Sequence, residues 1–121
     1  MKRNSYKLFV EDMLESMNKI ERYTKGSTYD KFEKNEVVVD AVIRNLEIIG
    51  EAARNIPEQV REKYPNIPWK RMIGLRNITI HEYFGVDLNI IWEIITKNLP
   101  ETKPKIEEML KSLSDSSLRS E

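Results

Sequence analysis

Apolar residues in this chain recur at spacings of three and four in one segment after another, and nowhere do they alternate with period two for long. Such spacing lays a stripe along one side of a helix and would scramble the faces of a strand, so the expected fold class is all-α. Tyr6, Phe9, Val10, Met13, Met17 and Ile20 form the first stripe, over about Ser5 to Thr24. Asn4 or Ser5 can cap this helix, and Lys25-Gly26-Ser27 ends it. Tyr29 to Lys34 can add a short helical turn. Asn35 is placed to cap a long second helix, about Glu36 to Asn55, whose apolar face is Val38, Ala41, Val42, Ile49, Ala52, Ala53 and Ile56.

Pro57 and Glu58 open another short helix, which Tyr64-Pro65 closes. Pro68 suits the first turn of a helix running to about Phe84, and Gly85 breaks it. Asp87 caps the next helix, which carries Leu88, Ile91, Trp92, Ile95 and Leu99 and is expected to stop at Pro100. A last helix carries Ile106, Met109, Leu110 and Leu113. The expected architecture is one antiparallel helical bundle of four to five main helices over residues 1–113. Residues 114–121 have almost nothing to bury and are expected to fray.

Twenty Lys and Arg balance twenty Asp and Glu, so no global field draws in nucleic acid. RNA binding would need a local patch, or one assembled by two subunits. The absence of cysteine excludes a disulfide scaffold, a thiolate nucleophile and Cys-ligated zinc. A single histidine excludes a two-His metal site within one chain, and neither metal nor cofactor is expected. After Met1-Lys2-Arg3 the continuous apolar run is only Leu8-Phe9-Val10, too short for a signal peptide, and no stretch approaches a transmembrane span. The expectation is a cytoplasmic protein with no membrane partner.

The segment from Trp69 to Phe84 does not read as ordinary core. At 100° per residue, Ile73, Ile80 and Phe84 fall close to Trp69, with Met72 on the other flank. Arg76 and Tyr83 fall inside this apolar stripe, one heptad apart, while Asn77 and His81 lie four apart on an adjacent strip. An arginine in an apolar stripe is costly unless it is paired or lines a cleft. A buried ion pair with a glutamate of the second helix and a functional arginine are both open. A lone histidine is more often a surface or hydrogen-bonded residue than a catalyst, and Tyr83 can simply pack its ring. Yet an arginine, an amide, a histidine and a phenol within eight residues can hold a phosphodiester, polarise it and move a proton. On the second helix, Arg44, Glu47, Glu51 and Arg54 form a charged stripe opposite the apolar one. A solvated face with intrahelical ion pairs is the favoured reading of that stripe. The functional one has it bordering the cleft and orienting Arg76 or His81.

Arg76 to Tyr83 reads R-x4-H-x-Y. This resembles the signature of HepT proteins, a branch of the HEPN superfamily of helical ribonucleases. Ile43 to Ala53 resembles that family's R-x2-E-x-I-G-E-A stretch, and Ile67-Pro68-Trp69 its lead into the motif helix. Tyr83-Phe84-Gly85-Val86-Asp87, Ile91-Trp92 and Leu99-Pro100 resemble the family's exit from the motif helix and its next helix. The likeness covers roughly residues 5 to 110. Many members carry Asp after the motif arginine, where this chain has Asn77, which can orient but cannot supply charge.

The resemblance implies a homodimer with two motifs at its cleft and metal-independent RNA cleavage. It also implies a toxin-antitoxin system whose MntA-type nucleotidyltransferase antitoxin adenylylates Tyr83. In that reading Arg76 and His81 are catalytic, and Asn77, Tyr83, Arg44, Glu47 and Glu51 support them or bind RNA. Arg76 and His81 lie about 140° apart around an ideal helix, and one chain has one histidine for two proton transfers, so a site composed from two subunits is expected. The alternative is a non-catalytic helical partner that positions substrate for a minimal nucleotidyltransferase.

Overall fold

The computed structural model describes residues 6–80 and 87–119. The described residues are helical with no strand: α1 (Lys7–Thr24), α2 (Tyr29–Lys34), α3 (Glu36–Arg54), α4 (Glu58–Arg61), α5 (Trp69–Ile80), α6 (Leu88–Glu93), a π-helical segment (Ile94–Asn98) and α7 (Leu99–Arg119). The all-α bundle expected from the apolar periodicity is the observed one. Its four longest members are α1, α3, α5 and α7.

α3 is the middle of the bundle, packed by α1 on one side and α5 on the other, while α7 lies against α1. The reason is the width of its apolar face. Val42, Leu46, Ile49 and Ala53 are all fully buried, at spacings of four, three and four. They meet Val10, Met13, Met17 and Ile20 of α1 and Ile106 and Met109 of α7 in one continuous core. Burying each of the larger side chains contributes roughly 1.5–3 kcal/mol.

Local signals set the element ends. Gly26 takes φ +74°, a left-handed turn open to glycine, just after α1. Asn35 joins α2 to α3: its Oδ1 accepts from the Val38 N–H at 3.2 Å, and its own N–H donates to the Phe32 carbonyl at 3.0 Å. Asp87 caps α6 by accepting from the Asn89 N–H at 2.9 Å. Trp92 of α6 then packs on Phe32, with ring centroids 5.2 Å apart, and meets Tyr29 edge-on at 6.3 Å, which ties α2 to α6.

Two details depart from expectation. Pro100 does not stop its helix. The π segment lets the Leu99 N–H donate to the Ile94 carbonyl, five residues back. This wider turn makes room where the proline ring would strike the Thr96 carbonyl, and the chain continues as α7. Beyond Leu113, α7 runs on to Arg119, since extending an existing helix needs one hydrogen bond per residue and no new nucleus. Among the described side chains of α5 the buried ones are Trp69, Met72 and Leu75, with Ile73 only half-buried. Over residues 69–78 the core-facing arc is therefore centred on Met72 rather than on Trp69 and Ile73.

Candidate active site

The site begins with a glycine. Gly50 sits in the interior of α3, where glycine weakens a helix by about 1 kcal/mol relative to alanine. Its value lies across the interface. A Cβ at Gly50 would stand 2.8 Å from the Arg76 amide nitrogen and 3.0 Å from the Met72 carbonyl oxygen. The two helices thus touch backbone to backbone at Arg76, as no other residue at position 50 would allow.

This approach brings Arg76 beside the next residue of α3. Arg76 Nε lies 3.1 Å from Glu51 Oε1, and Arg54 Nη1 lies 3.4 Å from Glu51 Oε2, so one carboxylate bridges two arginines through its two oxygens. The Arg76 and Glu51 side chains are 43% and 45% exposed. The ion pair with the second helix is present, and it is half-open to water rather than buried. Pairs this exposed contribute at most about 1 kcal/mol, so the bond aims the guanidinium without sequestering it. One turn back along α3, Arg44 Nη1 pairs with Glu47 Oε1 at 3.2 Å.

These groups line a groove of about 370 Å³ over the outer face of α3, walled by α1 and α5. Arg44, Glu47, Glu51 and Arg76 all line it. The charged stripe forms two intrahelical ion pairs, and three of its four residues, Arg44, Glu47 and Glu51, also border the cleft. Asn77 is exposed on α5 and is not among the residues lining the groove. His81 and Tyr83 lie outside the described residues.

Phe9 and Asp12 of α1 also line the groove, as does Asn55, whose side-chain amide donates to the Glu51 carbonyl at 3.0 Å. Sequence reasoning missed these and Gly50. Only Gly50 carried a signal, a glycine inside a strong helical pattern. Phe9 and Asp12 sit in an ordinary amphipathic helix, and only the packing of α1 on α3 brings them here. Two arginines and three carboxylates line the groove. Among the described residues no group of three or more His, Cys, Asp or Glu side chains is placed to hold a metal ion, and no helix is long and apolar enough to cross a membrane.

The family model described as Ribonuclease HepT-like matches residues 13–109, from the middle of α1 into α7. The chain belongs to the HepT-like ribonuclease family. It is 48% identical over 107 residues to a protein of Methanocaldococcus jannaschii named "Putative RNase", covering 88% of this chain and 98% of that one. It is 42% identical over 102 residues to a protein of the same description from Caldanaerobacter subterraneus, covering 84% and 91%. It is 40% identical over 111 residues to the "Probable ribonuclease HepT" of Thermococcus cleftensis, covering 92% of this chain and all of that one. No solved structure gives a significant match. The HepT-like match takes in Gly50, Glu51 and Arg76, together with the segment carrying His81 and Tyr83.

Proposed function

We propose that this HepT-like protein is a metal-independent endoribonuclease. In this reading it is the toxin of a HepT/MntA-type toxin-antitoxin system, acts in the cytoplasm and is neutralised by a nucleotidyltransferase that adenylylates Tyr83. The observation carrying the proposal is the Arg76 guanidinium, aimed into an open groove by Glu51 and half-exposed there. A planar guanidinium in that position can take the non-bridging oxygens of a phosphodiester in place of a carboxylate.

In the reaction, the ribose 2′-oxygen attacks the adjacent phosphorus while its proton passes to a base. The bond from phosphorus to the 5′-oxygen breaks, and that oxygen receives a proton. The products are a 2′,3′-cyclic phosphate and a 5′-hydroxyl, with no water consumed. His81 carries a proton in or out, since imidazole changes charge near neutral pH. Arg76 stabilises the charge that develops on the phosphorane. Asn77 orients the imidazole. Arg44, Glu47 and Glu51 shape and charge the groove.

Two proton transfers and one histidine per chain call for a homodimer, in which the partner copy supplies the second imidazole. The exposed Ile90, 54% accessible on α6, fits a surface that a second copy would cover. Inhibition by adenylylation moves an adenylate from ATP to the Tyr83 oxygen and releases pyrophosphate. The new phosphodiester then competes for Arg76, and the base fills the cleft.

The carboxylates of Asp12, Glu47 and Glu51 in the groove favour a second reading, a non-catalytic partner that positions substrate for the nucleotidyltransferase. An RNA cleavage assay of the wild type beside His81→Ala separates the two. Cleavage lost in the variant supports the nuclease. Wild-type protein that leaves RNA intact, yet raises turnover by a cognate nucleotidyltransferase, supports the partner.

A further inference from the structure

On the side of α5 away from the groove lies a second, larger cavity, of about 440 Å³. It exists because α5 packs on α3 while α7 packs on α1, leaving a cleft between α5 and the π segment with the start of α7. Met72, Leu75, Ile78, Ile94 and Leu99 make its walls apolar. Gly74 opens onto it, and a Cβ built there would meet nothing within 4 Å. The volume is in the range of roughly 300–1,000 Å³ typical of small-molecule sites.

Three polar features mark this cleft as more than a packing defect. Thr102 lines it with only 6% of its surface exposed, so a residue whose hydroxyl can both donate and accept stands in the cavity wall. Arg71, at the rim, makes no ion pair among the described residues. Lys105, also at the rim, spends one donor on the Asn66 carbonyl at 3.1 Å and keeps two more. Glu101 is the one acidic residue of the lining, so the cations outnumber it. The π segment contributes Ile94 and Asn98, and π turns are frequent at functional sites.

We propose that this cleft binds a small amphipathic monoanion. Its apolar body would lie along Leu75 and Ile94, its acceptor atom would meet Thr102, and its anionic group would lie between Arg71 and Lys105. The site is separate from the Arg76 groove and does not depend on ribonuclease activity.

The test is a fluorescence titration of the full chain with anilinonaphthalene sulfonate, followed by displacement with decanoate, decanol and decylamine. Expected are one saturable site per chain and displacement by decanoate at concentrations at least about tenfold lower than by decylamine, the scale of one charge-assisted hydrogen bond. Gly74→Leu, which fills the cleft and favours the helix, should abolish saturable binding while circular dichroism stays unchanged. Arg71→Gln should remove the preference for decanoate over decanol, and Thr102→Val should weaken decanoate binding. Absence of saturable binding to the wild type would overturn the proposal, as would binding indifferent to Gly74→Leu in a folded variant. Binding that disappears as the chain self-associates would make the cleft an interface between copies, which also overturns it.

Discussion

Gly50 and Arg76 meet backbone to backbone, with no room for even a methyl group between α3 and α5. The contact fixes the distance at which the guanidinium of Arg76 reaches the neighbouring Glu51. A helix-weakening residue at position 50 is thereby tied to the geometry of the groove.

Gly50→Ala should therefore destabilise the fold, although alanine is the better helix former. The new Cβ would strike a peptide nitrogen and a carbonyl oxygen, neither of which can rotate away. The strain should outweigh the roughly 1 kcal/mol gained in propensity and leave a net loss of about 1–3 kcal/mol. Urea denaturation measures it. A variant more stable than the wild type would show that α3 and α5 can separate at little cost.

Glu51→Gln should change stability by no more than about 1 kcal/mol, because its pairs with Arg54 and Arg76 are half-exposed. Its effect should fall on RNA. With one carboxylate charge gone from the groove, affinity for a short RNA should rise by roughly two- to fivefold, the scale of one exposed charge pair, while the cleavage rate falls because Arg76 loses its tether. Fluorescence anisotropy and single-turnover cleavage separate the two effects. Weaker binding would mean that Glu51 does not compete with phosphate.

Tyr83→Phe should keep most RNA cleavage and resist inactivation by a cognate nucleotidyltransferase with ATP. A phenol is a poorer proton shuttle at pH 7 than an imidazole, but its oxygen can accept an adenylate. Mass spectrometry of the treated wild type should find the adduct on a peptide containing Tyr83. An adduct confined to Tyr64, or a folded Tyr83→Phe protein without activity, would contradict that division of roles.

Light scattering at micromolar concentration should give a mass of at least two chains. A clean monomer with full cleavage activity would rule out a site shared between copies.

Helices α1, α2 and α3 were legible because their signals are local: a three-four period, Gly26 at a turn and Asn35 at a cap. Pro100 misled because proline blocks an α-helix, whereas the Ile94–Asn98 segment is wound differently and needs no N–H from it. Arg76 stood out as a charge in an apolar stripe, but its state could not be read from α5 alone. Whether such an arginine is buried depends on what α3 places opposite it, and here the partner is Glu51 at the edge of the helix contact. Leu75 was overlooked, and the buried arc displaced, because the facing helix decides which side of α5 is covered. Phe9 and Asp12 entered the groove only through tertiary packing. The placements of His81 and Tyr83 fall outside the described residues, so their roles rest on the motif and on the family.

The most direct measurement is the rate of RNA cleavage in excess EDTA by the wild type, His81→Ala and Arg76→Lys, each checked for folding by circular dichroism. The wild type should cut at the same rate with and without chelator. His81→Ala should lose at least roughly a hundredfold, the usual worth of a positioned acid–base group. Arg76→Lys should also be impaired, because an ammonium cannot reproduce the guanidinium fork. Cleavage abolished by EDTA and restored by Mg²⁺, or a folded His81→Ala protein that cuts at the wild-type rate, would contradict a ribonuclease built on Arg76 and His81.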